Sequence, residues 1–220
     1  MIKKIIVLFI SIYVTDNYLV SSYERMNHQS DQYYITQVLE GKVNAFSVLV
    51  ERYQGLVYTV VYRMLKNKEQ AEEVAQDSFI KAFKSLSKYR GDAKFSTWLY
   101  TIAYRKSLDA IKVSKRMITS ELIEEVSEGE IERVSDALNY LQEKERKKII
   151  SDSILKLPEE EAAIVTLYYF EEKSVKEIVE IVGLTADNVK IKLYRSRKKL
   201  YSILGQHILP EISNKNGRAI

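Results

Sequence analysis

The chain is 220 residues long, 46% hydrophobic and 29% charged, with a net charge of +4 and a pI of about 8.9, a balance that excludes wholesale disorder and suits one or two folded domains. With no Cys, and its two His far apart at positions 28 and 207, it excludes disulfides, thiolate catalysis and Cys-ligated zinc, and fits a reducing, cytoplasmic compartment. Two Pro, seven Gly and many Leu, Ile, Lys and Glu at helical spacing predict an all-α chain without substantial sheet.

Residues 1–25 carry Lys3 and Lys4 ahead of an apolar run from Ile5 to Val14. The run is too short for an ordinary membrane span and has no evident small-x-small cleavage site. It reads as an upstream extension or a misplaced start, because helical patterning begins only after Met26. A short helix near Gln32 to Leu39 ends at Gly41. Phe46, Leu49, Val50, Tyr53, Val57, Val60, Val61 and Met64 then trace one long apolar stripe.

After a break at Asn67 to Glu69, Ala71, Val74, Ala75, Phe79, Ala82, Phe83 and Leu86 line the next helix, with Glu72, Glu73, Gln76 and Asp77 on its other face. On pattern alone that acidic patch is a solvated face near a helix N-terminus. Gly91 and Asp92 mark a loop, and Phe95, Trp98, Leu99 and Ile102 restart a helix. Between Lys84 and Arg116 nine basic residues face two acidic ones, a local net of +7, with Tyr89, Phe95, Trp98, Tyr100 and Tyr104 interleaved. Cations alternating with rings suit single-stranded nucleic acid, whose bases stack and whose phosphates need neutralising. Phe95 and Trp98, at helical spacing, read as core instead.

From Thr119 to Glu145 nine acidic residues face Arg133 and Lys144, a net of −7. This reads as a flexible acidic linker that keeps two basic modules apart, turning helical after Ser135. Four helices are predicted beyond it, over Lys147 to Lys156, Glu159 to Tyr168, Ser174 to Val182 and Ala186 to Leu204, with Pro158 and Glu159 to Glu161 favouring a helix start and residues after Gly205 frayed.

The third and fourth form a tight pair. Val175, Ile178, Val179 and Val182 line one stripe, Gly183 ends it, Leu184 tucks under the turn and Thr185 can cap the next helix. In that helix Val189, Leu193, Leu200 and Leu204 face inward with Ser196 in the seam. Lys190, Tyr194, Arg195, Arg197 and Lys198 face outward, and Thr185 to Lys199 carries six basic residues against Asp187, a net of +5. The pair is either a helix-turn-helix entering the DNA major groove or a helical hairpin with a solvated basic side.

The order of segments resembles an extracytoplasmic-function (ECF) sigma factor of the sigma-70 family, over about Asp31 to Leu204. AEEVAQDSFIKAF at Ala71 to Phe83 is similar to that family's polymerase-binding helix, KFSTWLYTIA at Lys94 to Ala103 to its promoter-melting segment, and LPEEEAAIVTLYYFEEKSVKEIVEIVGLTADNVKIKLYRSRKKL to its second DNA-binding region. The resemblance implies two helical domains: region 2 over 26–117 and region 4 over 147–205, with a linker over 118–146 and a tail over 206–220.

It implies polymerase contacts at Glu73, Gln76, Asp77, Phe79 and Ile80, replacing the solvated-face reading. Arg90, Lys94, Tyr100, Tyr104, Arg105 and Lys112 would hold the minus-ten element as an opened strand. Thr185, Asn188, Lys190, Ile191, Tyr194, Arg195, Arg197 and Lys198 would read the minus-thirty-five element. Tyr104 and Arg105 stand where many relatives carry Asn after the Ile-Ala pair, and Ile191 where a small polar residue is common, so an apolar contact such as a thymine methyl replaces a hydrogen bond there.

The implied partners are core RNA polymerase, promoter DNA and an anti-sigma factor, with no cofactor, metal or small-molecule substrate. No Gly-rich phosphate loop or nucleophile with a nearby His points to an enzyme. The alternative is a stand-alone helix-turn-helix transcriptional regulator, for which the second basic, aromatic segment has no role.

Overall fold

The computed structural model describes residues 29–114, positions 134, 136 and 138, and residues 141–216. The N-terminal extension and much of the acidic linker lie outside the described residues. Among those described, every regular element is helical, and no helix is long and apolar enough to cross a membrane.

The N-terminal half begins with α1 (Asp31–Leu39), where the Ser30 hydroxyl accepts the Tyr33 backbone N–H at 3.3 Å and so caps the helix. Asp31 reaches across to α2 (Phe46–Leu65), accepting from Arg52 and, at 2.6 Å, from the Tyr53 hydroxyl. The break read at Asn67 is a cap: its side chain accepts the Gln70 N–H at 2.9 Å and starts α3 (Lys68–Lys84). After a loop, α4 (Phe95–Ser114) returns to pack against both α2 and α3. Leu49, Val57, Val60, Val61, Ala71, Ala82, Leu99 and Ala103 are all fully buried between them. Phe83, expected on the α3 core stripe, is exposed and meets the edge of Phe46 at 5.2 Å.

The C-terminal half contains α5 (Glu143–Leu155), α6 (Glu159–Tyr169), α7 (Val175–Val182) and α8 (Ala186–Asn216). Two expectations fail here. Residues after Gly205 do not fray: α8 continues to Asn216, because Ile208 joins Tyr201 and Leu204 in burying Val134, Leu138 and Leu141 from the linker's end. Nor are the two modules held apart, since α2 packs on α6 and α4 packs on α7.

The cause lies in α6. Every residue from Glu161 to Leu167 is buried, and a stretch apolar on opposite faces, as Ala162 to Val165 and Leu167 make this one, must be covered on both sides. Ala162 and Val165 join Ile150, Ile154 and Leu157 in a C-terminal core, whereas Ala163, Ile164 and Leu167 belong to the same buried cluster as Val57, Val60 and Leu99. One helix therefore serves two cores, and the linker's charge does not prevent it.

Candidate nucleic-acid interface

The helix pair Val175–Val182 and Ala186–Asn216 is built by its caps. The Ser174 hydroxyl accepts the Glu177 N–H at 3.2 Å while the Glu177 carboxylate accepts the Ser174 N–H at 2.9 Å, a reciprocal box that nucleates an eight-residue helix. Burial alone would raise the Glu177 carboxyl, but the Ser174 backbone and hydroxyl, then Lys94, hold it down to about 2. Gly183 closes α7 at φ +75, a left-handed conformation that a side chain strains. Two residues on, the Thr185 hydroxyl accepts the Asn188 N–H at 3.3 Å and opens α8.

Along α8, Val189, Leu193 and Ser196 point inward, and Asn188, Lys190, Ile191, Tyr194 and Arg195 point to solvent. Ile191 is 47% exposed and Tyr194 52%. Two cations attend the Tyr194 ring, Lys198 at 5.2 Å and Arg197 at 5.9 Å. The arrangement is an outward helix face with cations around one aromatic and one aliphatic side chain, the combination that suits a groove lined by phosphates.

The residues read as minus-ten contacts divide into two sets. Arg90, Arg105 and Lys112 are exposed, Arg90 pairing with Asp92 at 3.0 Å and Lys112 with Asp109 at 3.5 Å. Tyr100 and Tyr104 are only 1% exposed. Their hydroxyls donate to carboxylates of the other module, Tyr100 to Glu171 at 2.9 Å and Tyr104 to Glu160 at 3.0 Å. Burial, reinforced by those carboxylates, raises both phenols and keeps them as donors. Lys94 pairs with Glu177 at 3.2 Å. Lys173 donates to Ser96 at 2.9 Å with its ammonium 5.5 Å from the Tyr100 ring centre, and burial lowers its pKa. Phe95 is buried and Trp98 packs against it and Tyr89.

On α3, Glu73, Gln76 and Asp77 are exposed and Ile80 stands 51% open, so they form one accessible ridge, Asp77 also receiving Lys106 at 2.8 Å. Phe79, assigned to the same face, is buried. Its ring faces the core because it falls on the stripe of Ala71, Ala75 and Ala82.

Sequence reasoning missed the residues that join the halves: Arg63, Ser96, Glu160, Thr166, Phe170, Glu171 and Lys173. Glu160 is the sharpest case, its carboxylate touching both Tyr104 of α4 and, at 2.6 Å, Lys192 of α8. The available signal was the run from Ala162 to Leu167 in α6, apolar but for Thr166, which states that both sides are covered without saying by what.

The Sigma-70 region 2 family model matches residues 49–117, and that of Sigma-70, region 4 matches residues 147–200. The ECF RNA polymerase sigma factor SigW of Bacillus subtilis is 34% identical over 175 residues, covering 76% of this chain and 92% of that protein. The ECF RNA polymerase sigma-E factor of Salmonella typhimurium is 30% identical over 177 residues, with 78% and 92% covered. Among solved structures, the sigma factor RpoE in complex with the anti-sigma factor NepR from Bartonella quintana superposes with a TM-score of 0.51 at 17% identity, covering 72% of this chain and 96% of that one. CnrH in complex with the cytosolic domain of CnrY gives 0.50 at 22% identity, with 80% and 97% covered.

Proposed function

The chain belongs to the sigma-70 family, among its ECF RNA polymerase sigma factors, and from that membership we propose how its own residues divide the work. A sigma factor directs promoter-specific initiation by binding core RNA polymerase and promoter DNA. The polymerase makes the bonds; this chain acts by binding, in the cytoplasm, and needs no cofactor.

The exposed ridge of α3, with Glu73, Gln76, Asp77 and Ile80, is the polymerase-docking face. The outer face of α8 reads the minus-thirty-five element: Lys190, Arg195, Arg197 and Lys198 take phosphates and base edges, Ile191 takes an apolar base edge, and Thr185 and Asn188 fix the entry of the helix. In the loop before α4 and along it, Arg90, Lys94, Arg105 and Lys112 neutralise an opened strand while Tyr100 and Tyr104 supply rings for its bases. An anti-sigma factor that covers these faces completes the reading.

The observation that carries it is the ridge of Lys190, Ile191, Tyr194 and Arg195 raised on a buried Val189, Leu193 and Ser196 seam directly after a capped glycine turn. The test is run-off transcription from randomised promoter templates with core RNA polymerase, with and without the protein. Start-site-specific transcripts that require the protein and vanish in the double variant Lys190→Ala, Arg195→Ala are expected. Sequence-specific DNA binding without such transcripts returns the stand-alone regulator.

A further inference from the structure

Six basic residues lie between Thr185 and Lys199, but they do not all face outward. Lys190 keeps 63% of its side chain exposed, whereas Lys192 and Lys199 turn back onto the first turn of α6. Lys192 meets Glu160 at 2.6 Å, a carboxylate that also accepts from Tyr104. Lys199 meets Glu161 at 2.9 Å, a pair that belongs to α6 and α8 alone, and the two side chains are only 19% and 11% exposed. Beside them the wholly buried Ser196 hydroxyl donates to the Lys192 carbonyl at 2.7 Å and lies 3.3 Å from the second Glu161 oxygen.

A buried ion pair is a poor source of stability, because taking two charges out of water offsets most of their attraction and apolar side chains of similar size often serve as well. What it supplies is direction. Val189, Leu193 and Leu204 seal the inner face of α8, and apolar contact, being non-directional, tolerates a small roll of one helix on another. A charge-assisted hydrogen bond does not, since its atoms must meet at about 2.7–2.9 Å. That difference matters in a groove. A roll of about 20° carries a side-chain tip at a radius of about 6 Å through about 2 Å, more than a hydrogen bond to a base edge survives. Lys199 lies eight residues beyond Ile191, about 12 Å along the axis, so it restrains the helix at a distance from the side chains that meet bases. Glu161 is itself held firmly, because Ala162 and Val165 beside it pack on Ile150, Ile154 and Leu157.

The geometry points to Glu161 and Lys199 as a pair of positioning residues that sets the roll of the recognition helix, and through it the placing of Ile191, Tyr194 and Arg195 against base edges, without either touching DNA. This rests on the reading of α8 as the minus-thirty-five helix and names what aims it. Lys199 is thereby removed from the phosphate contacts that the charge of α8 suggests, and its cation serves base selection instead.

The test uses the full-length chain bound to core RNA polymerase. Run-off selection from randomised templates with the wild-type chain supplies a promoter duplex, and scrambling its minus-thirty-five half supplies the reference. The readout is the ratio of the two affinities, measured at several salt concentrations. Glu161→Met with Lys199→Met replaces the pair by apolar side chains of similar size, so helicity and urea midpoint should hold. The affinity ratio should fall by about tenfold, the effect of losing one well-placed base contact, while the salt slope on the scrambled duplex stays as it was. A slope lower by about one identifies Lys199 as a phosphate contact, and an unchanged ratio shows that the apolar seam alone aims the helix. Either result overturns the inference and leaves the sigma reading intact.

Glu161→Gln covers the case of a double variant that does not fold. It keeps the size of the side chain and removes one negative charge, which by itself strengthens attachment to DNA of any sequence. A severalfold fall in the ratio is expected, because the bases are no longer met squarely; a ratio that holds overturns the aiming role. No start-site-specific transcript from the wild-type chain overturns the sigma reading and the inference with it.

Discussion

Arg63 of α2 and Thr166 of α6 stand 103 positions apart in the chain, and the guanidinium donates to the threonine hydroxyl at 2.9 Å. Arg63 is 3% exposed and lies over the Phe170 ring at 4.2 Å, while Thr166 turns its own proton to the Ala162 carbonyl at 2.6 Å. A cation this deep is tolerated because planar guanidinium accepts both a ring face and oxygen acceptors.

Replacing Arg63 with Ala should therefore cost about 2–4 kcal/mol, from the lost packing and the acceptor left behind. Urea unfolding checks it. The wild-type chain should unfold in one transition followed by probes in either module, and the variant in two, because the cation ties the halves into one cooperative unit. A variant with unchanged midpoint and one transition would show that the apolar contacts of α6 suffice.

Glu177 predicts acid sensitivity. Its folded pKa of about 2 lies below the value of about 4.3 for an unfolded Glu. The stabilisation is thus complete above the unfolded value and is lost as pH falls from there through 2. Glu177→Gln keeps a side chain able to cap the box but removes the charge facing Lys94. Its stability should be lower than wild type at pH 7 and converge with it near pH 2, measured by chemical denaturation across that range. Parallel curves would count against the assignment.

Reversing charge on the α3 ridge, with Glu73→Lys and Asp77→Lys, should weaken association with core polymerase by about tenfold or more, as interface charge repulsion does. Both side chains are exposed, so helicity and thermal midpoint should hold. Co-elution with core enzyme and fluorescence anisotropy measure the loss; undiminished binding would move the docking face elsewhere.

On the recognition helix, Lys190→Ala and Arg195→Ala should weaken promoter binding across sequences and lower the salt slope by about one per phosphate contact removed. Ile191→Ser should differ in kind. It should shift base preference at one promoter position by about 1–3 kcal/mol and leave the salt slope alone, because an apolar side chain releases no counterion. Binding titrations at several salt concentrations, with single-base promoter variants, separate the two behaviours.

The elements of the fold were legible because they are local. The stripe from Phe46 to Met64, the Gly183 turn and the Thr185 cap depend on neighbours a few positions away, and the structure has all three. The outward ridge of α8 followed from the same periodicity. What joins the modules was not legible. Arg63 bonding Thr166, or Tyr100 bonding Glu171, leaves no periodic trace, and an acidic linker suggested separation where the opposite apolar faces of α6 demanded contact. Tyr100 and Tyr104 show the same limit from the other side, since residue type suggested rings for bases but not the carboxylates that cover them.

The anchorage of Val134, Leu138 and Leu141 on the far end of α8 changes how the chain can measure distance. Between the end of α4 at Ser114 and the start of α5 at Glu143 lie 28 residues, a length of chain whose extended limit is roughly 100 Å. Counted only as far as the buried Val134 there are 19, and the limit falls to roughly 70 Å. The last turns of α8 thus act as a cleat on a mooring line. Whether they hold or release that contact changes the reach open to the chain between its two modules by roughly 30 Å.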